Sequence, residues 1–256
     1  MGIVRLATST RRKVAVVLLS VVAIGCTTTD GGFFGDPAPA PTTKMVIVGD
    51  SLAEQTAPVL GMLLPSMPAV NRYFGGTAPC DWAERDLDAD RGSVVVVQFT
   101  GNSLTDCMSD GNGGHLAGSA LVDAYRRDAV TIVRNARDAG AWVVLVGQPY
   151  RAPIFDADTV VDGINEVYRS LAANERYVGF VDAGAAVETP DGKFTDRLPC
   201  QFFDQQCDAD GTTVVRGDGV HFCPVPDRLP CPVWSGGAFR FAAAIADAIK
   251  DPAAFD

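Results

Sequence analysis

Residues 45–64 read MVIVGDSLAEQTAPVLGMLL. Met45–Gly49 is a short apolar run rich in β-branched residues and without polar alternation, the pattern of a parallel strand covered on both faces. Leu52–Leu64 follows at helical spacing, so Gly49-Asp50-Ser51-Leu52 is a turn from strand into helix. The same alternation continues outward along the chain. Further strands are predicted at Val70–Phe74, Ser93–Phe99, Ala141–Gly147 and Tyr177–Val181, and helices at Ala120–Ala139, Asp158–Glu175 and Gly237–Ile249. In the helix from Asp158, residues Val160, Val161, Ile164, Val167, Tyr168 and Leu171 form one apolar face, with Asp158 placed to cap. Alternating strands and helices predict an α/β domain: a three-layer α/β/α sandwich around a mostly parallel, roughly five-stranded, flavodoxin-like sheet.

The whole chain has 256 residues, 47% of them hydrophobic, enough for one sizeable core. A formal charge of −10 argues against a nucleic-acid partner, which needs a basic face. Near the start, Arg5, Arg11, Arg12 and Lys13 precede the charge-free run Val14–Gly25, which is too short to span a bilayer. A basic stretch, a short apolar stretch and then small residues read as a secretory signal over residues 1–25. Ala23-Ile24-Gly25-Cys26 resembles the lipobox of bacterial lipoproteins, which implies that Cys26 is lipidated and becomes the new N-terminus. Cleavage there removes four basic residues and no acidic one, taking the charge from −10 to −14. Residues 26–44 hold this cysteine and a Thr-, Gly- and Pro-rich linker, leaving 45–256 as the folded domain. The expected location is therefore outside the cytoplasm, on the outer face of the cell membrane, with the membrane touched through the lipid anchor alone.

The cysteines agree with export. Seven is odd, and setting Cys26 aside leaves Cys80, Cys107, Cys200, Cys207, Cys223 and Cys231, which allow three disulfides in 15 connectivities. Proximity along the chain favours Cys80–Cys107, Cys200–Cys207 and Cys223–Cys231. A zinc site is disfavoured, because no CxxC pair occurs and the chain has only two histidines. No metal and no cofactor is expected.

Ligands of open α/β sheets bind beyond the carboxyl ends of the strands, so the residues that follow each strand are the candidates for chemistry. Ser51 lies at such a point, where its hydroxyl is presented near a helix N-terminus, although a serine there could equally be an ordinary N-cap. A serine nucleophile needs a base, and His221 in Asp218-Gly219-Val220-His221 can be oriented by Asp218 three residues earlier. Gly75-Gly76-Thr77 and Gly101-Asn102 follow two other predicted strands, where a glycine N–H and the Asn102 amide could serve a developing oxyanion. His115 reads as a loop or rim residue. Residues 100–118 and 188–234 are long Gly-, Asp-, Pro- and Cys-rich segments, the expected walls of a site.

Taken together, Val48-Gly49-Asp50-Ser51-Leu52, Gly75-Gly76, Gly101-Asn102 and Asp218-Gly219-Val220-His221 resemble, in order, the four blocks of the SGNH hydrolases, or GDSL esterases and lipases. The resemblance covers Met45 to about Ile249. It implies Ser51 as nucleophile, His221 as general base and then acid, and Asp218 as orienting carboxylate. It also implies an oxyanion hole made by the backbone N–H groups of Ser51 and Gly76 with the Asn102 side chain; Gly75 remains an alternative to Gly76. Thr100 and Ser103 flank Gly101-Asn102, where the family usually has an Asp beside the block. The tail Phe222–Arg240 is similar to actinobacterial SGNH domains linked to envelope polysaccharides. The implied function is a serine esterase that removes short O-acyl groups from cell-envelope carbohydrate through an acyl-enzyme. An acyltransferase between envelope glycans shares every catalytic residue, and a catalytically idle glycan-binding or scaffold lipoprotein is the reading from another class.

Overall fold

Val94 and Val96 pack with Met45 and Ile47 into one apolar cluster, whereas Val95 and Val97 pack with Val46 and Val48 into another. Successive strand residues point to opposite faces, so an uninterrupted valine run is stable only where both faces are covered. The computed structural model describes residues 44–155, 157–225 and 230–250. The expected signal segment, Cys26 and nearly all of the linker lie outside these residues.

In chain order the elements are β1 (Lys44–Gly49), α1 (Ser51–Leu63), β2 (Ala69–Tyr73), α2 (Cys80–Ala83), β3 (Ser93–Gln98), α3 (Gly118–Asp138), β4 (Trp142–Val146), α4 (Asp158–Asn174), β5 (Val178–Val181), β6 (Arg197–Pro199), β7 (Thr212–Val214) and α5 (Gly236–Lys250). Strands β1 to β5 form one sheet in the order β2-β1-β3-β4-β5, and every pairing is parallel. Apolar residues of α1 and α5 cover one face, among them Leu52, Leu60, Phe241 and Ile245. Those of α3 and α4 cover the other, among them Leu121, Ile132, Ile164 and Tyr168. This is the expected three-layer α/β/α sandwich. Among the described residues, no helix is long and apolar enough to cross a membrane.

Three expectations change in detail. Lys44 already belongs to β1, so the folded part begins one residue inside the expected linker. Asp158 is the first residue of α4 rather than its cap; Ala157 holds the cap position and makes no side-chain bond there. The segment 188–234 is not uniformly irregular, because β6 and β7 pair as an antiparallel hairpin within it. Three-residue strands carry too little periodicity to be seen in a sequence. The described cysteines form the bridges Cys80–Cys107, Cys200–Cys207 and Cys223–Cys231.

Candidate active site

The strand-to-helix turn predicted at Gly49–Leu52 depends on a close approach. A Cβ on Gly49 would lie 2.2 Å from the Gln98 carbonyl oxygen of β3 and 2.5 Å from Ala53 Cβ, so only glycine fits. Ser51 is not the N-cap. Asp50 occupies that position, and its Oδ1 accepts the Leu52 N–H at 3.0 Å, which leaves the Ser51 hydroxyl free for another partner. That partner is His221, whose Nε2 lies 2.9 Å from Ser51 Oγ. His221 Nδ1 lies 2.7 Å from Asp218 Oδ2, and Asp218 Oδ1 accepts the backbone N–H groups of Val220 at 2.9 Å and His221 at 2.6 Å.

Asp218 thus receives three hydrogen bonds from the turn it begins. Burial pushes its carboxyl up, but the His221 and Val220 bonds outweigh burial and leave it below the usual carboxylate range. Gly219 shapes the turn with φ +83°, and a Cβ there would lie 2.5 Å from that of Ala152. The pairing holds the imidazole with one nitrogen on the carboxylate and the other on the serine, the arrangement that lets histidine take the serine proton.

Asp50 organises the other side of the site. Its Oδ2 accepts the Thr100 N–H at 2.6 Å, the Thr100 hydroxyl at 2.7 Å and Asn102 Nδ2 at 2.9 Å. The carboxyl is fully buried, and burial raises its pKa despite the bonds from Thr100 and Leu52. Asn102 Nδ2 also lies 3.4 Å from the Thr77 carbonyl oxygen, a long contact. The expected oxyanion amide is therefore beside the turn that carries Ser51, anchored by Asp50. Thr100, which departs from the family's usual acidic neighbour, is a second donor to the same carboxylate.

The glycine pair is held to the end of β1 by Thr77, whose hydroxyl lies 3.0 Å from the Gly49 carbonyl oxygen and 2.7 Å from that of Phe74. Among the described residues neither Gly75 N–H nor Gly76 N–H has an acceptor. A Cβ on Gly75 would be 3.8 Å from Ser51 Cβ, whereas the nearest atom to one on Gly76, at φ +80°, is Leu104 Cδ1 at 3.9 Å. Gly75 is thus the glycine nearer Ser51, and Gly76 supplies the positive φ of the turn. The Cys80–Cys107 bridge ties the loop of the glycine pair to the loop of Asn102, and Cys223–Cys231 lies just beyond His221. His115 stays apart from these groups, in a backbone bridge to Ser109.

Four residues that sequence reasoning passed over support the site. Gln55 follows Ser51 by one helical turn, and its Oε1 accepts the backbone N–H groups of Phe222 at 2.7 Å and Cys223 at 3.2 Å. The i, i+4 spacing from Ser51 was the available signal. Ser235 accepts the Ala238 N–H at the start of α5 and donates to the Phe222 carbonyl at 2.6 Å. Arg151, just beyond β4, donates to the Thr100 carbonyl, and burial lowers its pKa while Asp50 opposes the shift. Arg216 is 2% exposed, with its guanidinium 5.3 Å from the Phe222 ring centroid. None of its three guanidinium nitrogens has a hydrogen-bond partner among the described residues, and burial lowers its pKa to about 10, with Glu188 opposing.

Residues 44–228 match the family described as protein of unknown function (DUF459). The chain belongs to DUF459. This DUF459 chain matches no curated protein in sequence. Among solved structures it is similar to a GDSL-like lipase from Bacteroides thetaiotaomicron, at 15% identity and a TM-score of 0.52, over 82% of this chain and 88% of that one. It is also similar to a catalytic mutant of Axe2, an acetylxylan esterase from Geobacillus stearothermophilus, at 15% identity and a TM-score of 0.53, over 85% of this chain and 97% of that one. The C-terminal catalytic domain of Streptococcus pneumoniae peptidoglycan O-acetyltransferase A matches at 18% identity and a TM-score of 0.50, over 84% of this chain and 96% of that one. At these identities the likeness is one of fold, and in the DUF459 chain the four sequence blocks are gathered at the carboxyl edge of the sheet.

Proposed function

We propose that this protein is a serine esterase that removes short O-acyl groups from cell-envelope carbohydrate. The observation that carries this reading is the continuous arrangement of Ser51, His221 and Asp218, with separations of 2.9 and 2.7 Å. Ser51 Oγ attacks the ester carbonyl while His221 Nε2 takes its proton. The tetrahedral oxyanion is met by the Ser51 N–H, an N–H of the Gly75-Gly76 pair and the Asn102 amide. Collapse expels the sugar alkoxide, which takes the proton back from His221 and leaves an acyl-serine that water then resolves by the same base.

The acetylated-xylan and peptidoglycan chemistry named for two structures of like fold supports a carbohydrate ester as the substrate class. The transferase of that pair also makes a sugar hydroxyl a candidate to resolve the acyl-enzyme in place of water. An idle scaffold has no need of a hydrogen-bonded serine–histidine–carboxylate set. Export and anchoring through Cys26 form part of the proposal, supported by the pairing of all six remaining cysteines.

A fluorophosphonate probe tests the nucleophile without the substrate being known. One adduct on the chain from Thr27 onward, lost in Ser51→Ala, is the expected result. No adduct on folded, oxidised protein overturns the reading. Product analysis with an acetylated glycan and a free glycan acceptor then separates hydrolysis from transfer.

A further inference from the structure

A second cavity, of about 400 Å3, opens beyond the carboxyl ends of β4 and β5. Tyr150, Arg151, Asp158, Asp162, Lys193 and Phe194 line it. In the sheet order β1-β3-β4-β5 the strand that leads to Ser51 is two places from β4, and strands lie about 4.8 Å apart, so the ends of these two strands are about 10 Å apart. That is the reach of the next unit or two of a chain, rather than of the acyl group itself.

The wall of the cavity is fastened to both halves of the catalytic site. Arg151 donates to the carbonyl of Thr100, whose N–H and hydroxyl bind Asp50. The next residue, Ala152, donates its N–H to the carbonyl of Gly219 at 2.9 Å, inside the Asp218–His221 turn. On the far side the Tyr150 N–H is held by Glu188 Oε1 at 2.8 Å. A ligand in this cavity therefore bears on a loop in direct contact with the oxyanion block and the base.

The lining has a definite chemistry. The lining holds two cations, Arg151 and Lys193, and two carboxylates, Asp158 and Asp162, so its formal charges cancel, and Lys193 also pairs with Asp191 at 3.2 Å. The Tyr150 hydroxyl donates to Asp162, which with burial holds its pKa up at about 12 and keeps it a donor. Pockets of this size bury one small ligand through a few convergent polar groups. A pyranose offers what the lining can use: several uncharged hydroxyls in a ring, and an apolar C–H face for an aromatic side chain.

We propose that this cavity is a subsite for a neutral sugar residue next to the acylated one, so that the protein reads a glycan chain rather than an isolated ester. The proposal rests on the esterase reading for its purpose but not for its test. Binding is measured by calorimetry on Ser51→Ala, which cannot turn over, with two unacetylated probes: a β-1,4-linked xylose tetramer and a β-1,4-linked N-acetylglucosamine tetramer. We expect one of them to bind and Asp158→Asn or Lys193→Ala, introduced into that background, to weaken it about tenfold or more, equal to about 1.4 kcal/mol. Two separate substitutions guard against one that disturbs folding. Binding of neither tetramer, or binding unmoved by both substitutions, overturns the subsite.

Activity gives an independent arm. With an acetylated form of the bound tetramer and with p-nitrophenyl acetate, the ratio of the two kcat/KM values should fall about tenfold in the same variants, chiefly through KM. An unchanged ratio overturns the subsite. Failure of wild type on both esters while the tetramer still binds overturns the esterase reading and leaves the subsite standing.

Discussion

Gln55 Oε1 accepts the backbone N–H of Phe222 at 2.7 Å, so a side chain on the helix that begins at Ser51 holds the residue after His221. Ser51 and His221 are 170 positions apart, and this bond and its companion to Cys223 at 3.2 Å join their segments directly, beside the bond from Ser235 to the Phe222 carbonyl. Gln55→Ala leaves both N–H groups without that acceptor, at about 1–3 kcal/mol for each that stays buried. We expect a lower melting temperature and a kcat reduced about tenfold, both largely restored by Gln55→Glu. Unchanged kcat in Gln55→Ala would show that the disulfide and Ser235 hold the loop alone.

Asp50 joins the cap of α1 to the Asn102 side-chain amide. Asp50→Ala removes the acceptor of the Leu52 N–H, the Thr100 N–H and hydroxyl and the Asn102 amide at once, with an expected loss of about 3 kcal/mol or more in denaturant unfolding. Asn102→Ala removes only the amide and should cost on the order of 100-fold in kcat with a smaller loss of stability. Equal stability losses in the two variants would remove Asp50 as the organiser.

The pH dependence has a definite sign. The folded pKa of Asp50 is raised, so its stabilising contribution is present below the ordinary carboxylate range and is lost as pH rises through the folded value. The stability advantage of wild type over Asp50→Asn should therefore shrink as pH rises above the ordinary carboxylate range. A constant or growing advantage in urea unfolding would contradict the burial argument.

Asp218 runs the other way. Its folded pKa is lowered, so its contribution is present above the ordinary carboxylate range and is lost only as pH falls through the lower folded value. Above that range the plateau of kcat/KM is therefore reached with Asp218 ionised. Asp218→Asn should lower the plateau on the order of 1,000-fold while the stability loss stays small. An unchanged plateau in Asp218→Asn would remove Asp218 from the site.

Arg216 carries a buried charge without a hydrogen-bond partner among the described residues. A buried charge without partners bears its desolvation cost uncompensated, so an apolar chain of similar length removes that cost, whereas removing one member of a buried pair is strongly destabilising. Arg216→Met should therefore melt at or above the wild-type temperature in differential scanning calorimetry. A fall of several degrees would identify Arg216 as a paired charge.

Much of this protein was legible in its sequence because the decisive signals are local. The valine runs of β1, β3 and β4 and the apolar face of α4 record which surfaces are covered, and burial writes itself into the composition of each segment. The turns Gly49–Leu52 and Asp218–His221 are short enough for their geometry to be encoded by adjacent residues. Cysteines seven and eight positions apart in Cys200–Cys207 and Cys223–Cys231 pair as their spacing suggests. Only the tertiary structure decided what depends on residues that meet across the sheet. That Asp50 and not Ser51 caps α1, that Gln55 steers His221, that Gly75 lies nearer the serine, and that Arg151 joins a second cavity to the oxyanion block all follow from loop conformation. Loops leave no periodic pattern, because their side chains answer to single partners rather than to a repeated environment.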